Sequence, residues 1–266
     1  MEPQLSRTQA YWVLNGLPSI GPISLNRLLD HFGGDPCAAL EASRSELDTV
    51  KGLQRKAIDA LVALHRSPPG PFEPYDMAVY QREAALLPEW FAPAAGFAVD
   101  EPGYRQAWEE VLAPLLERQR PGVTVLRDYH AENIMLLPGG GQGLIDFQDA
   151  LVGHPAYDLV SLLQDARRDV SPELERAMLD HYAQASGGGT EFEADYARLG
   201  AQRNAKIMGI FVRLWKRDGK PGYLAHLPRV SGYMERDLRH PVLAPLKAWL
   251  DTHVPQSLRA EILSAE

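Results

Sequence analysis

The sequence contains little cysteine and no long apolar run. Cys37 is the single cysteine in 266 residues, which excludes an intramolecular disulfide and a cysteine-rich zinc site and fits a reducing cytosol. No apolar run approaches the roughly 18 residues of a membrane span. The N-terminal sequence MEPQLSRTQAYWVLNG lacks the basic and apolar regions of a signal peptide. We therefore expect a cytoplasmic protein without a membrane partner.

An excess of positive charge is also missing. The formal net charge is −8, which keeps the protein soluble and disfavours broad, non-specific binding to nucleic acid. Hydrophobic residues make up 45% of the sequence, which is ordinary for a globular protein with a buried core. The length allows one or two domains, and no repeat at a fixed period is visible. The composition thus predicts a globular protein.

Short apolar runs in the middle of the chain each adjoin a polar side chain. They are VTVL shortly before Asp128, IMLL directly after Asn133, and GLI directly before Asp146. Residues 139–141 are all glycine, which readily adopts the positive φ of tight turns, so the second run can turn back on the third as a hairpin. The pattern predicts that two carboxylates and one amide lie together at one end of a small, rigid sheet.

The spacing of these side chains suits phosphoryl transfer. In a loop of the pattern D-x-x-x-x-N, the carboxylate lies next to the acceptor hydroxyl, and the amide oxygen five residues later can bind Mg²⁺. A second carboxylate completes the metal site. We therefore interpret Asp128 as the catalytic base and Asn133 and Asp146 as metal ligands. The alternative is structural, because an isolated aspartate in a loop is usually a turn residue or a helix cap.

These segments resemble the kinase-like fold of the aminoglycoside phosphotransferases, with LRDYHAEN as the catalytic loop and IDFQDA as the metal-binding segment. They are most similar to the anomeric sugar kinases that phosphorylate N-acetylmuramate and N-acetylglucosamine in cell-wall recycling. REAALLPEWF and GHPAYDLVSLLQDAR also resemble that family, and the resemblance runs from about Pro74 to about Pro255. It implies ATP as phosphate donor, Mg²⁺ as cofactor and an amino sugar as acceptor. An aminoglycoside or another small alcohol is the alternative acceptor.

Further residues have a supporting role in this interpretation. Asp158 resembles the family's helix aspartate that holds the catalytic loop from behind; alternatively, it is a simple helix-start carboxylate favoured by the helix dipole. His130 is either a hydrogen-bond donor in the active site or a packing residue of the loop. Arg127 either neutralises phosphate charge or pairs with a carboxylate inside the lobe, and we favour the second interpretation.

Residues 1–66 are interpreted as a separate helical domain. ISLNRLLDHFG has apolar residues at helical spacing and ends at Gly33, and the preceding LPSIGP reads as a turn between two helices. This turn resembles a helix-hairpin-helix, in which Gly21 would let backbone N–H groups approach a DNA phosphate. The whole segment resembles the N-terminal domain of the DNA-processing protein A family.

Contact with DNA is a second hypothesis for this segment. Its candidate contacts are Gly21, Lys51, Arg55 and Lys56. Residues 1–66 contain seven basic and seven acidic side chains, so the positive charge typical of a DNA-binding domain is missing. A protein-contact module or a purely structural helical module is therefore the favoured alternative.

The predicted fold is mainly α with a small β-hairpin sheet, in the α+β class. A small all-α, SAM-like helix-hairpin-helix domain (1–66) and a Pro-rich linker (67–75) precede a kinase-like C-terminal lobe (76–266). The β-rich N-lobe of a kinase, with its phosphate-covering loop and strand lysine, is not found in the sequence. We therefore expect weak or absent kinase activity. The other functional hypotheses are a DNA- or partner-binding protein with a passive kinase lobe, and a non-functional fusion product.

Overall fold

The structure is a computed structural model that describes residues 6–15, 29, 31–41, 52–96, 98–136 and 142–254. The chain divides into two compact units, Met1–Ala57 and Ile58–Glu266. The division falls inside a helix, earlier than the boundary that the sequence predicts after residue 66. Among the described helices, none has the length and apolar character that crossing a bilayer requires.

The first unit contains helix α1 (Arg7–Asn15) and helix α2 (Pro36–Glu41), which pack against each other. Ala10 and Ala39 are buried, and the Arg7 guanidinium donates a hydrogen bond to the Gly34 carbonyl at 2.7 Å. The turn LPSIGP, on which the helix-hairpin-helix interpretation depends, lies outside the described residues. That interpretation therefore stays a prediction.

The second unit is mainly helical. Helix α3 (Gly52–Arg66) leads into it, followed by α4 (Met77–Ala84), α5 (Glu101–Arg118), α6 (Ala156–Leu163), α7 (Pro172–Ser186), α8 (Thr190–Asp218), α9 (Leu227–Asp237) and α10 (Ala244–His253). Short 3₁₀ segments are Ala131–Asn133, Pro221–His226 and Pro241–Leu243. Helix α8 is the central element, since α4, α6 and α9 all pack against it. It ends at Gly219, whose left-handed conformation (φ +66°) suits glycine.

The strands form two short antiparallel ladders. β1 (Val123–Val125) pairs with β4 (Leu151–Gly153), and β2 (Ile134–Leu136) pairs with β3 (Gln142–Leu144). The register places Ile134 opposite Leu144, so the predicted hairpin of the second and third apolar runs is confirmed. In the described residues β1 belongs to a different ladder, so the single small sheet expected from the sequence is replaced by two.

The end of the Pro-rich segment is held in place by the β1–β4 ladder. The Tyr75 amide donates to the Val152 carbonyl at 2.8 Å, and the Val152 amide donates to the Glu73 carbonyl at 2.9 Å. The Gly70 amide donates to the Thr124 hydroxyl at 2.9 Å. Proline can occupy this edge because a residue there does not need to donate to a ladder. The segment interpreted as a linker is therefore hydrogen-bonded to the ladder within the second unit.

The helical segment that contains REAALLPEWF continues past Pro88. After α4 the chain continues through a π turn (Leu87–Phe91) and a last helical turn (Ala92–Ala94). In the π turn, the Ala92 amide donates to the Leu87 carbonyl five residues earlier. The wider turn accommodates a proline, which has no amide proton and would clash with a carbonyl in a regular α-helix.

Helix α5 packs against α10 and α4 with an apolar face that includes Trp108 and Val111. Tyr104 contacts Trp249 of α10 with ring centroids 4.7 Å apart. The Trp249 indole donates to the Asp100 carbonyl at 3.1 Å. The helical spacing of the apolar residues in α5 indicates which face is buried. It does not indicate the helix against which that face packs, because apolar side chains pack without directional preference.

We predict that Gly209→Ala destabilises the protein by about 1–3 kcal/mol, the usual cost of overpacking a core. A Cβ at Gly209 of α8 would lie 2.2 Å from the Leu86 carbonyl oxygen, which is backbone and cannot rotate away. Gly232→Ala in α9 is the control, because nothing lies within 4 Å of its Cβ position. Alanine there should leave stability unchanged or raise it. Chemical denaturation checks both, and equal midpoints for the two variants would contradict the prediction.

Candidate active site

The loop after β1 is held by a buried carboxylate. The amides of Leu126 and Arg127 donate to the two oxygens of Asp158 at 2.7 and 2.8 Å. Asp158 lies in the first turn of α6 and is fully buried. Burial raises the pKa of Asp158 to about 7, although the two backbone donors and the nearby Arg203 act in the opposite direction. The structure thus places Asp158 behind the predicted catalytic loop.

Arg127 points into the protein rather than toward solvent. Its guanidinium forms an ion pair with Glu83 of α4 and donates to the Asp149 carbonyl at 3.1 Å. The backbone of Arg127 has φ +70°, which is uncommon for a residue with a side chain. These contacts correspond to the second interpretation of Arg127, an internal pair. They also join the catalytic loop to α4 and to the segment after β3.

Glu83 is the centre of a buried ion cluster that the sequence interpretation missed. Besides Arg127, the Lys206 ammonium lies 3.0 Å from its carboxylate, and the Tyr75 hydroxyl donates to it. Burial alone would raise the pKa of Glu83, but Lys206 and Arg127 outweigh this effect and lower it. A lysine in the otherwise apolar stretch AKIMGIF was the available signal. A buried lysine needs a carboxylate partner.

Asp128 presents its carboxylate at the surface, while its carbonyl organises the loop. That carbonyl accepts hydrogen bonds from the His130 amide at 2.9 Å and from the Asn133 side-chain nitrogen at 3.0 Å. The amide nitrogen of Asn133 is therefore occupied, which leaves its oxygen as the atom suited to bind a cation. Residues 128–133 thus fold into one compact turn, which joins Asp128 to Asn133.

Asp146 directly follows Ile145, which pairs with Asn133 because the hairpin continues past its named strands. The Ile145 amide donates to the Asn133 carbonyl at 3.1 Å, one step beyond the Ile134–Leu144 pair. The Asp146 carboxylate is exposed and accepts a hydrogen bond from the Gln148 side chain at 2.5 Å. Asp146 also has a positive φ, +62°, which turns the chain away from β3. Such backbone conformations concentrate at functional sites.

Asn133 and Asp146 each carry a side-chain oxygen of the kind that binds magnesium. Mg²⁺ prefers hard oxygen ligands, and in nucleotide sites it uses one or two carboxylates together with phosphate oxygens and water. Across the described part of the chain, no group of three or more His, Cys, Asp or Glu side chains could hold a metal ion alone. A magnesium ion at Asn133 and Asp146 would therefore need further ligands, such as phosphate oxygens and water.

His130 lies at the inner side of the same turn and is only 7% exposed. Its Nε2 is 3.4 Å from the Asn133 side-chain nitrogen. Because that nitrogen can only donate, Nε2 is the acceptor and Nδ1 carries the proton. Burial lowers the pKa of His130, so the ring is neutral near pH 7. Its Nδ1 is buried and has no hydrogen-bond partner among the described residues.

The candidate DNA contacts are not assembled into a described site. Gly21 and Lys51 lie outside the described residues, and the side chain of Arg55 also lies outside them. Lys56 is exposed near the start of α3. DNA contact by these residues therefore stays a prediction.

Residues 26–200 match the profile of the phosphotransferase enzyme family. Proteins named N-acetylmuramate/N-acetylglucosamine kinase are similar to this chain. The Caulobacter vibrioides protein is 39% identical over 251 residues, covering 87% of this chain and 68% of the relative. The Neisseria meningitidis serogroup B protein is 39% identical over 214 residues, covering 75% and 63%. The chain thus spans about two thirds of the length of these curated relatives.

The fold also has a solved counterpart. The crystal structure of LicA in complex with AMP has a TM-score of 0.52 to this chain and covers 74% of it, and the chain covers 63% of LicA. The sequences are 18% identical, so the similarity is one of fold. The family match begins at residue 26, and it therefore includes part of the segment that the sequence assigns to a helix-hairpin-helix domain.

We predict that Glu83→Gln destabilises the protein by about 3–5 kcal/mol, because it leaves the charges of Arg127 and Lys206 buried without a counterion. Asp251→Asn is the control. It removes a carboxylate from the exposed Lys247 pair, where solvent screens the interaction, and should change stability little. Urea denaturation compares the two. A Glu83→Gln variant as stable as the control would contradict the buried cluster.

Asp158 should also make stability depend on pH. Its folded pKa of about 7 lies above its ordinary value, so the folded state binds the proton more tightly. This contribution is fully present below about pH 4 and is lost as pH rises toward 7. The free energy of unfolding of wild type relative to Asp158→Asn should therefore fall between about pH 5 and pH 7, by at most about 1.4 kcal/mol per pH unit. A constant difference in denaturation experiments would contradict it.

Proposed function

Since the chain belongs to the phosphotransferase enzyme family, we propose that it transfers the γ-phosphoryl group of ATP to a hydroxyl group of an N-acetylated amino sugar. The observation that carries this proposal is the loop in which the exposed Asp128 lies one compact turn from Asn133, whose backbone pairs with the residue before Asp146. The acceptor class is supported by the relatives, which are named N-acetylmuramate/N-acetylglucosamine kinases. We place the acceptor hydroxyl at the anomeric carbon.

Asp128 acts as the general base in this proposal. It accepts the proton of the sugar hydroxyl as the sugar oxygen bonds to the γ-phosphorus and the bond to the bridging oxygen of ADP breaks. The proton rests on the Asp128 carboxylate, and ADP leaves with the electron pair of the broken bond. Exposure of Asp128 suits this role because both the acceptor and the donor must reach it. Asp158 keeps the loop in position through the backbone amides of residues 126 and 127.

Asn133 and Asp146 would hold Mg²⁺ through their side-chain oxygens. When bound, the ion neutralises charge that develops on the phosphate oxygens. Most catalysis in phosphoryl transfer comes from position and electrostatics, so fixed ligands matter more than covalent chemistry. The contact between Asn133 and the Asp128 carbonyl supplies that fixity, because it links the metal ligand to the base.

The same hairpin offers an apolar surface for a nucleotide base. Met135, Ile145 and Phe147 are large hydrophobic side chains that are 48%, 47% and 52% exposed. They flank the metal-binding pair in sequence, since Met135 follows Asn133 by two residues and the other two adjoin Asp146. A stacked purine would remove this apolar surface from water, which is favourable by roughly 25 cal/mol per Å². We propose that adenine lies against these residues.

We expect slow turnover. Ahead of Pro74, the regular secondary structure of the described residues is helical, and it includes no strand lysine of the kind that pairs with nucleotide phosphates in kinases. We also propose a cytoplasmic setting, where ATP is available and Cys37 stays reduced.

The test is transfer of labelled γ-phosphate from Mg-ATP to N-acetylmuramate, N-acetylglucosamine and a panel of aminoglycosides. We expect product with the N-acetylated sugars, at a rate below the usual 1–100 per second of kinases. Asp128→Asn should reduce transfer by about 10²–10⁴-fold, the usual contribution of a general base.

Two outcomes would contradict the proposal. One is an Asp128→Asn variant that transfers phosphate as fast as wild type. The other is no transfer to any acceptor by protein with a cooperative unfolding transition, which would show that a folded lobe lacks the activity.

A further inference from the structure

Beside the catalytic loop, buried polar side chains have atoms without a hydrogen-bond partner. They include His130, Asp165 and Arg203, which are 7%, 2% and 5% exposed. The unpartnered atoms are Nδ1 of His130, Oδ2 of Asp165 and Nη1 of Arg203, with partners sought among the described residues. Buried polar groups are nearly always hydrogen-bonded, and those that are not call for an explanation such as a ligand or water.

These side chains surround one end of α6. Asp165 follows α6 by two residues, about two helical turns after Asp158, which holds the catalytic loop. The Asn204 side chain donates to the Gln164 side chain at 2.8 Å, which brings this part of α8 against the end of α6. Arg203 adjoins Asn204 in the chain. Its charge influences both His130 and Asp158, as the pKa shifts of these two residues show.

The turn that contains Asp165 is also joined to the catalytic loop. The Arg167 guanidinium lies 3.6 Å from the carboxylate of Glu132, the residue before Asn133. On the other side, the Arg229 guanidinium of α9 donates to the Ala166 carbonyl at 2.9 Å. The unpartnered atoms therefore lie where the catalytic loop, the end of α6 and helix α8 meet.

The chemistry of the three atoms is complementary. Oδ1 of Asp165 already accepts the Arg167 amide at 2.9 Å, so Oδ2 remains as an acceptor. His130 Nδ1 carries a proton, because Nε2 faces the side-chain amide nitrogen of Asn133. Arg203 Nη1 is always a donor. By contrast, the buried Asp237 nearby has both oxygens occupied, at 2.9 Å by Gln164 and at 3.1 Å by Asn204.

One acceptor and two donors match an N-acylated sugar. A sugar hydroxyl can donate to Asp165 and accept from Arg203, and an acyl carbonyl can accept from His130. An ammonium group of an aminoglycoside donates only, so it would satisfy Asp165 but leave both donors unpaired and lie near the Arg203 charge. The cluster thus favours a neutral or anionic acceptor over a polycationic one.

We propose that His130, Asp165 and Arg203 form the recognition site for the acceptor sugar. Asp165 binds a hydroxyl group, and the other two bind oxygen acceptors of the sugar. This inference rests on the proposed function and assigns the residues that select the acceptor. All three are binding residues, and Asp128 remains the base.

The experiment measures sugar binding without nucleotide, so that it does not require turnover. Isothermal titration with N-acetylglucosamine is performed on wild type, Asp165→Asn and Arg203→Lys. Arg198→Lys is the matched control, because Arg198 is a similarly buried arginine of α8 whose Nη1, unlike that of Arg203, is paired with Asp195 at 2.8 Å. We expect Kd to rise about 10–100-fold in the first two variants, the usual effect of losing a hydrogen bond to a charged group. Thermal melts identify a variant that fails to fold.

Steady-state kinetics supply a second readout. The KM for the sugar should rise in Asp165→Asn and Arg203→Lys, while the KM for ATP stays near that of wild type. If wild type binds the sugar but transfers no phosphate, the proposed function fails while the binding experiment still supports the recognition site. If wild type transfers phosphate but both variants match Arg198→Lys in sugar affinity, the recognition site is wrong and the function stands.

Two further results would overturn the recognition site. Wild-type protein that shows no affinity for N-acetylglucosamine or N-acetylmuramate at millimolar concentration has no such site. Tighter binding of a 2-deoxystreptamine aminoglycoside than of either N-acetylated sugar would contradict the hydrogen-bonding pattern of the cluster.

Discussion

The buried carboxylate of Glu83 is the interaction on which the candidate active site depends. It forms ion pairs with Arg127 of the catalytic loop and Lys206 of α8, and it accepts a hydrogen bond from the Tyr75 hydroxyl. Three separate parts of the chain therefore meet at one group. A buried ion cluster is weak evidence for high stability, because removing charges from water is expensive. The cluster fixes the position of the catalytic loop, since the loop can adopt few other arrangements without leaving the charge of Arg127 or Glu83 unpaired.

The acidic side chains of the site divide according to burial. Glu83 and Asp158 are buried. Glu83 pairs with the side chain of Arg127, and Asp158 accepts a hydrogen bond from its backbone amide. Asp128 and Asp146 are exposed. Arg127 and Asp146 both have positive φ values, so two strained residues flank the functional loop and hairpin. Such strain persists only where the surrounding contacts over-determine the backbone. The buried carboxylates supply those contacts on the Arg127 side.

The sequence predicted the central features well because they are local. The hairpin of β2 and β3 and the mainly helical fold are confirmed, as is the resemblance of LRDYHAEN and IDFQDA to the phosphotransferase family. Partners outside the local segment were not predicted. β1 was assigned to the wrong ladder, and Glu83 and Lys206 were not singled out. Periodicity and turn residues indicate what a segment buries, but its partner depends on contacts between residues that are distant in the chain.

For residues 1–66, the balanced charge and the family match both bear on whether this segment acts on DNA. Its resemblance to a helix-hairpin-helix domain depends on a turn around Gly21, while the family match already includes residues from 26 onward. The alignment with the Caulobacter protein covers 87% of the chain, more than residues 67–266 alone can supply, so it extends into this segment. Balanced charge in residues 1–66 gives no electrostatic attraction to phosphate. A role for this segment in the kinase therefore needs fewer assumptions than a role on DNA.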